Sequence, residues 1–525
     1  MLKTAPVNIV WFKRDLRIHD HRPLFEAAKV GPVLALYIVE AGYWALPDTS
    51  ARQWSFIRES LICVDADLKK LGGGLVVRTG AVERILSDLD AQTPIAGLWS
   101  HEETGNDWTF TRDKAVERMC GVLDISWREF PQMGVKRSLG NRDEWAMHHG
   151  KFMDQPCIAA PRHISFVNLP SDPLPTAQDL HMGDDPCPFR QSGGRDVALH
   201  LLDSFFAGRG NHYTFEMSSP LTAEIACSRL SPHLAAGVLS IRETLQRALA
   251  ERASAAALPA HARSIELRSI DSLISRLHWH CHFIQKLESE SALEHRSMHK
   301  AMQQARVPTT HDDPVLLAFA SGRTGFPFVD ACMRFLIATG WINFRMRAML
   351  TAFATYHLQL DWQAVGHVLA RLFTDYEPGI HWPQIQMQSG QTGINTPRIY
   401  NPVKQSMDQD QDGIFIRRWV PELVALPTVF LHEPWKMTVG DERMYDISLG
   451  KVYPTRLVDH VEAMRAARDR LTAIRKREGF QTEATKVFIR HGSRKRTITD
   501  DHPEKARAMK LRKEKLENHQ FSLDL

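Results

Sequence analysis

The chain has 525 residues, of which 43% are hydrophobic, and carries a net charge of +4. It is too long for one ordinary domain, and so mild a charge permits contact with nucleic acid without demanding it. No apolar run reaches the length of a membrane span and the N-terminus lacks the order of a signal peptide, so a cytoplasmic location is expected.

Val7–Phe12, Val33–Val39, Leu75–Thr79 and residues 95–100 read as short buried strands. Helical patterns at 51–71 and 81–89 lie between them, and Gly72-Gly73-Gly74 closes the first of these. Alternating strands and helices predict an α/β domain with a doubly wound parallel sheet over residues 1–135. Residues 168–195 hold five prolines among Asp, Gly and Ser, which is loop chemistry, and we place an interdomain linker at 136–200. From Arg195 onward the pattern is helical, with Ile270, Leu273, Leu277, Cys281, Ile284 and Leu287 at helical spacing. An all-helical domain is therefore expected over 201–476.

Residues 477–525 read as a basic C-terminal tail, with Arg494-Lys495-Arg496 and then Lys510, Arg512, Lys513 and Lys515. A frayed, solvated helix and an arm for nucleic acid or a partner both fit this composition. The seven cysteines are scattered and none forms a Cys-x-x-Cys pair. Neither a zinc ribbon nor a disulfide framework is indicated, and free buried thiols are expected.

Several segments carry chemistry. The run Asp375-Tyr376-Glu377-Pro378-Gly379-Ile380-His381-Trp382 puts acids, a histidine and a tryptophan into an apolar helical region. Trp341-Ile342-Asn343-Phe344-Arg345-Met346-Arg347 precedes it and Arg398-Ile399-Tyr400-Asn401-Pro402 follows it. Buried charge is costly unless paired or used. Cys227-Ser228-Arg229-Leu230-Ser231-Pro232, shortly after Tyr213, suits a phosphate at a helix start. Plain helix capping by Ser228 or Ser231 explains the same residues. His278 and His282 share a helical face, but no third ligand accompanies them, and a hydrogen-bonded helix edge accounts for both. His101-Glu102-Glu103-Thr104-Gly105-Asn106-Asp107 ends a strand, where α/β sheets commonly bind ligands.

The segments around 341–347, 375–382 and 398–402 resemble the flavin pocket of the photolyase/cryptochrome family. Val10-Trp11-Phe12-Lys13-Arg14-Asp15-Leu16-Arg17-Ile18-His19-Asp20 resembles its opening strand and turn. The resemblance extends to about residue 475. It implies an α/β antenna-type domain joined by a long linker to an all-helical FAD-binding domain. It places Tyr213 and Cys227, Ser228, Arg229, Leu230 and Ser231 around the FAD pyrophosphate, with Cys227 where the family most often has Thr. Trp341, Phe344 and an Arg347–Asp375 ion pair would lie against the flavin, with Glu377 and Arg345 adding charge; a purely structural salt bridge is the alternative. His381 falls nearest the flavin N5, where it would donate a proton, unless it is an ordinary core histidine. The segment 101–107 would border a pocket for a folate or deazaflavin antenna, whose identity the sequence leaves open. With three cysteines beyond residue 200, no iron–sulfur cluster is expected.

The resemblance also marks departures. Trp362 matches one member of the tryptophan chain that photoreduces the flavin, but Ile385 stands at the flavin-proximal position and no Trp occurs in 303–313. Trp341, Trp382, Tyr376 or Tyr400 would have to substitute. Repair enzymes carry a Glu three residues before Trp279, and here that residue is Arg276. Such a reversal is worth ~4 kcal/mol per close charge contact at intermediate dielectric. Met387 replaces a second lesion-stacking Trp, and Ala348 a Met typical of dimer photolyases. The expected function is a blue-light-absorbing flavoprotein, photoreduced through aromatic residues, that is not an efficient cyclobutane-dimer repair enzyme. The rival is a light-driven DNA photolyase acting on cyclobutane or six-four lesions, with Arg345, Arg398 and Lys404 on DNA phosphates. A regulatory DNA-binding module with a vestigial flavin is a third class.

Overall fold

The computed structural model describes residues 6–492 apart from 258, 259 and 304, and omits the side chains of 260–264. The basic clusters at 494–496 and 510–515 lie outside the described residues.

Five strands form one parallel sheet: β1 (Val7–Phe12), β2 (Val33–Val39), β3 (Leu75–Thr79), β4 (Ile95–His101) and β5 (Trp127–Phe130), in the order β3-β2-β1-β4-β5. The interior strands β1 and β2, VNIVWF and VLALYIV, are apolar or aromatic except for Asn8 and are buried at every position. Burial on both faces is what helices on either side of a parallel sheet impose. The fifth strand is absent from the sequence expectation. Its residues, WREF, are only partly covered and include two charges, so no apolar run marks them.

Around the sheet lie α1 (Arg22–Val30), α2 (Ala51–Lys70), α3 (Val82–Gln92) and α4 (Asp107–Val122). Ser50 and Gln53 form a reciprocal capping box at the start of α2, and Gly73 N–H returns to Leu68 O at 3.1 Å to close its end.

The segment expected as linker contains a short 3-10 turn, Arg142–Glu144, that runs into α5 (Trp145–Met153), whose Trp145 and Met153 join an apolar cluster with Tyr213, Leu277 and Cys281. Residues 155–194 hold neither helix nor regular strand, and they lie along the sheet edge through bonds such as Val33 N to Ser165 O and Asp172 N to Val77 O. Helical structure resumes at Arg195.

The helical half is centred on α6 (Ala260–Ser289), α7 (Pro327–Thr339), α8 (Phe344–Ala352), α9 (Trp362–Leu372) and α10 (Pro378–Gln388). It ends with α11 (His460–Arg475) and α12 (Phe480–His491). The last helix falls within the stretch expected as a tail. It is packed rather than frayed: Phe480, Ala484 and Val487 are buried, and His491 Nε2 lies 2.8 Å from Glu290 Oε2. Among the described residues, no helix is long and apolar enough to cross a membrane.

The turn after β1 joins the two halves. Leu16 N–H donates to Ala236 O at 3.2 Å and Arg17 Nη1 to Gly237 O at 2.8 Å. Gly237 has φ +67°, and a Cβ there would stand 2.1 Å from Arg14 O, so this close approach requires glycine. Asp15, buried beneath the turn, lies 2.7 Å from His101 Nδ1 and 3.0 Å from His21 Nε2. These imidazoles hold the Asp15 carboxyl well below its ordinary range despite burial, which acts the other way.

Candidate functional site: an anion- and ring-binding pocket in the helical half

Residues far apart in sequence meet between α6, α8, α10 and the short helices Tyr213–Glu216, Pro220–Ala226 and Ser231–Ala235. Arg347, on α8, donates from Nη2 to Asp375 Oδ2 at 2.7 Å and from Nε to Ile342 O at 2.8 Å. Its guanidinium also lies over the Phe373 ring at 4.1 Å. Asp375 is buried, and its other oxygen, Oδ1, has no protein partner. Asn343 anchors the start of α8 by donating to Met217 O and Ser218 O, which leaves its buried Oδ1 without a donor.

Tyr213 is buried against Phe205 and carries a hydroxyl pushed up to about 12, first by burial. Cys227 ends the helix Pro220–Ala226, and burial pushes its thiol up to about 12 as well. Arg229 has positive φ, +61°, and its guanidinium stacks 4.1 Å from the centre of Trp341. The following helix has Leu230 as its N-cap with no side-chain cap. Neither Ser228 nor Ser231 therefore supplies the capping bond that was the alternative explanation for this segment.

Arg345 is exposed on α8 and stands outside the Arg347–Asp375 pair. Phe344 is exposed at the rim. Glu377 is committed elsewhere. It caps α10 through Gly379 N–H and pairs with Arg14 from the turn after β1 at 2.6 Å. Its carboxyl is raised above its ordinary range by burial, with Arg14 opposing.

His381 is buried on α10 with Nε2 2.9 Å from Gly366 O. A carbonyl only accepts, so Nε2 carries the proton and Nδ1 is left as an acceptor. Burial pulls the imidazole down to about 3, with the bond to Gly366 O opposing and Arg347 assisting. Burial thus disfavours the charged ring, and its Nε2 proton faces the Gly366 carbonyl. Beside it, Trp382 is fully buried with its indole N–H unpartnered, and its ring lies 5.1 Å from His381 and 6.0 Å from Trp362.

Arg276 is exposed on α6. Its Nη2 lies 3.8 Å from Met217 Sδ and its guanidinium 5.7 Å from the Phe344 ring. One turn further on, Trp279 stacks on Phe283 with centroids 5.7 Å apart. Met387 is half-buried, and Arg398 and Lys404 are exposed. His282 Nδ1 meets Arg142 Nη2 at 2.6 Å, which gives that ring nitrogen a protein partner.

A cavity lies between the carboxyl edge of the sheet and the helical half, bordered by Trp11, Tyr37, Glu40, Glu103, Arg112 and Tyr376. Arg112 bridges Glu40 and Glu103, both at 2.5 Å. Of the 101–107 segment, Glu103 faces this cavity, while His101 is turned to Asp15.

The pocket's orphaned buried acceptors and its surplus of guanidinium groups suit a polar, anionic, ring-bearing ligand. Comparison with known proteins makes that class definite. Residues 273–473 match the model of the FAD binding domain of DNA photolyase, and residues 8–135 match that of DNA photolyase. A deoxyribodipyrimidine photo-lyase of Agrobacterium fabrum is 30% identical over 509 residues, covering 90% of this chain and 99% of that protein. A cryptochrome DASH of Synechocystis is 25% identical over 512 residues, covering 89% and 98%. The crystal structure of a bacterial class III photolyase from Agrobacterium tumefaciens superposes with a TM-score of 0.78 at 28% identity, covering 91% and 99%. The chain belongs to the DNA photolyase/cryptochrome family, and its helical half contains an FAD-binding domain.

Proposed function

We propose that this chain is a blue-light-absorbing flavoprotein whose output is the redox change of its FAD, and that it splits cyclobutane pyrimidine dimers poorly. In this reading Tyr213 and residues 227–231 cradle the diphosphate, while Trp341, Phe344, Arg347 and Asp375 enclose the ring system. Bound FAD supplies blue-light absorption and electron uptake. The chain supplies the electron: it leaves the Trp382 indole, is replaced from Trp362, and an external reductant restores the pair. Contact between the two buried rings supports this order. Glu377 serves indirectly, by fixing α10 against Arg14.

The observation that carries the reading is Arg276, a cation at the pocket rim where the family's repair enzymes place the acid that holds the lesion. Guanidinium has five donors and no acceptor, so it cannot reproduce a carboxylate's hydrogen bonds. Photorepair of defined cyclobutane and six-four lesions, with fully reduced protein, tests the reading. Turnover comparable to a working photolyase would overturn it.

The second reading, a DNA photolyase with an altered lesion pocket, is favoured by the 30% identity to a photo-lyase along 90% of the chain. The exposed Arg345, Arg398 and Lys404 would then hold DNA phosphates. In either reading the cavity at the sheet edge is the place for a folate- or deazaflavin-type antenna.

A further inference from the structure

The guanidinium groups of Arg209, Arg229, Arg276 and Arg347 lie around the buried Cys227 thiol. Among the described residues only Arg347 has a carboxylate within bonding distance, Asp375. Arg209 is spent on backbone carbonyls, among them Leu201 O, Ile225 O and Cys227 O. Arg229 donates to Gln191 Oε1 at 2.9 Å and covers Trp341. It reaches the backbone oxygen of Glu224, whose carboxylate faces Arg418 at 3.5 Å. Arg276 reaches the thioether of Met217, a weak acceptor, and the Tyr213 side chain, and lies 5.7 Å from the Phe344 ring.

Neither Arg229 nor Arg276 has a carboxylate within bonding distance among the described residues, so both keep donors for an incoming anion. Burial already draws Arg229 down to about 10. Cys227 is no counter-ion, because burial keeps its thiol protonated. A planar guanidinium fork matches phosphate oxygens in a bidentate manner. Arg276 stands close enough to Tyr213 to oppose the upward shift of its hydroxyl, so the two side chains share one edge of the pocket.

We propose that Arg276 is a ligand of the FAD diphosphate, acting with Tyr213 and Arg229, and that it selects the dinucleotide over riboflavin. This rests on the assignment of the helical half as FAD-binding, and it gives the residue that departs most from the repair pattern a task on the cofactor side of the pocket.

The test follows dissociation of FAD from the full-length holoprotein, read as free-flavin fluorescence at low and high salt, for wild type, Arg276→Gln and Arg276→Lys. Arg276→Gln should weaken FAD binding roughly 10- to 100-fold, the size of a charge-assisted hydrogen bond. It should also flatten the salt dependence and leave riboflavin binding unchanged. Arg276→Lys should restore only part of the affinity, because an ammonium cannot bind in a bidentate manner. Arg276 is exposed, so loss of fold is not expected, and far-UV circular dichroism checks it. Wild-type FAD affinity and salt dependence in Arg276→Gln would overturn the proposal. So would an equal loss of riboflavin, or a loss confined to lesion-containing DNA. Wild-type protein that takes up no flavin would instead remove the FAD reading beneath it.

Discussion

Arg14 Nη2 and Glu377 Oε2 meet at 2.6 Å although 363 residues separate them in the chain. One lies in the turn after the opening strand of the sheet and the other caps the helix that carries His381 and Trp382. Arg14 also binds Ala235 O at 3.0 Å, so a single side chain ties the sheet to two parts of the flavin-binding half. Arg14→Gln should leave Glu377 buried and unpaired. A loss of ~3 kcal/mol is expected, at the low end for breaking a buried pair, together with faster flavin release. Thermal melts of holoprotein check this. An unchanged melting temperature would mean that Glu377 finds another partner.

Asp375→Ala removes the only carboxylate bonded to Arg347 among the described residues. The purified variant should hold markedly less FAD, seen as a lower ratio of visible to ultraviolet absorbance. Arg347 is a quarter exposed, so some of the penalty is relieved by water, and ~2 kcal/mol of stability is a fair expectation. Full flavin occupancy in this variant would leave the ion pair with a structural role alone.

Trp382→Phe and Trp362→Phe should each slow photoreduction under blue light with an external reductant. A tenfold slowing corresponds to ~1.4 kcal/mol on the barrier. Phenylalanine preserves packing while removing the oxidisable indole. If Trp382→Phe is slow and Trp362→Phe runs at the wild-type rate, the electron leaves Trp382 by another path, and the order proposed for the pair fails.

Several buried imidazoles have pKa values lowered by burial, His381 to about 3, His101 to about 3, and His233 and His357 to about 4. In the unfolded chain they take up protons below the ordinary value near ~6.5. Between that value and the folded ones the unfolded state binds more protons, so stability rises with pH there. Stability is therefore complete above ~6.5 and drains away as pH falls toward ~4. Melting temperatures recorded across this interval should drop steadily. A flat profile down to the carboxylate range would show that these rings are protonated in the native state.

Arg276→Glu combined with Met387→Trp should raise dimer photorepair if the rim residues limit it. Base–aromatic stacking on the new Trp is worth ~1–3 kcal/mol. The glutamate should at the same time weaken FAD retention, since it sets a negative charge beside the diphosphate. No gain in repair would move the defect deeper, to Ala348 or His381.

The sheet was legible because β1 and β2 are almost wholly apolar or aromatic, whereas Trp127–Phe130 is short, charged and half-covered and gave no such signal. The helix Phe480–His491 was hidden by its polar composition. The spacing of Phe480, Ala484 and Val487 was the available clue. The Arg347–Asp375 partnership could be expected from family motifs, and the two side chains do meet. The commitment of Glu377 to Arg14 could not, because nothing local links positions 363 residues apart. The tautomer of His381 depends on one carbonyl, Gly366 O, contributed by a neighbouring helix.

The seam at Gly237 has a consequence for anything that works across it. Backbone bonded to backbone, with no room for one added carbon, fastens the two halves together at this point. A chromophore seated at the sheet edge would stay at one distance and one orientation from the flavin pocket. Transfer of excitation between them would then be set once, by folding, and would not fluctuate with domain motion.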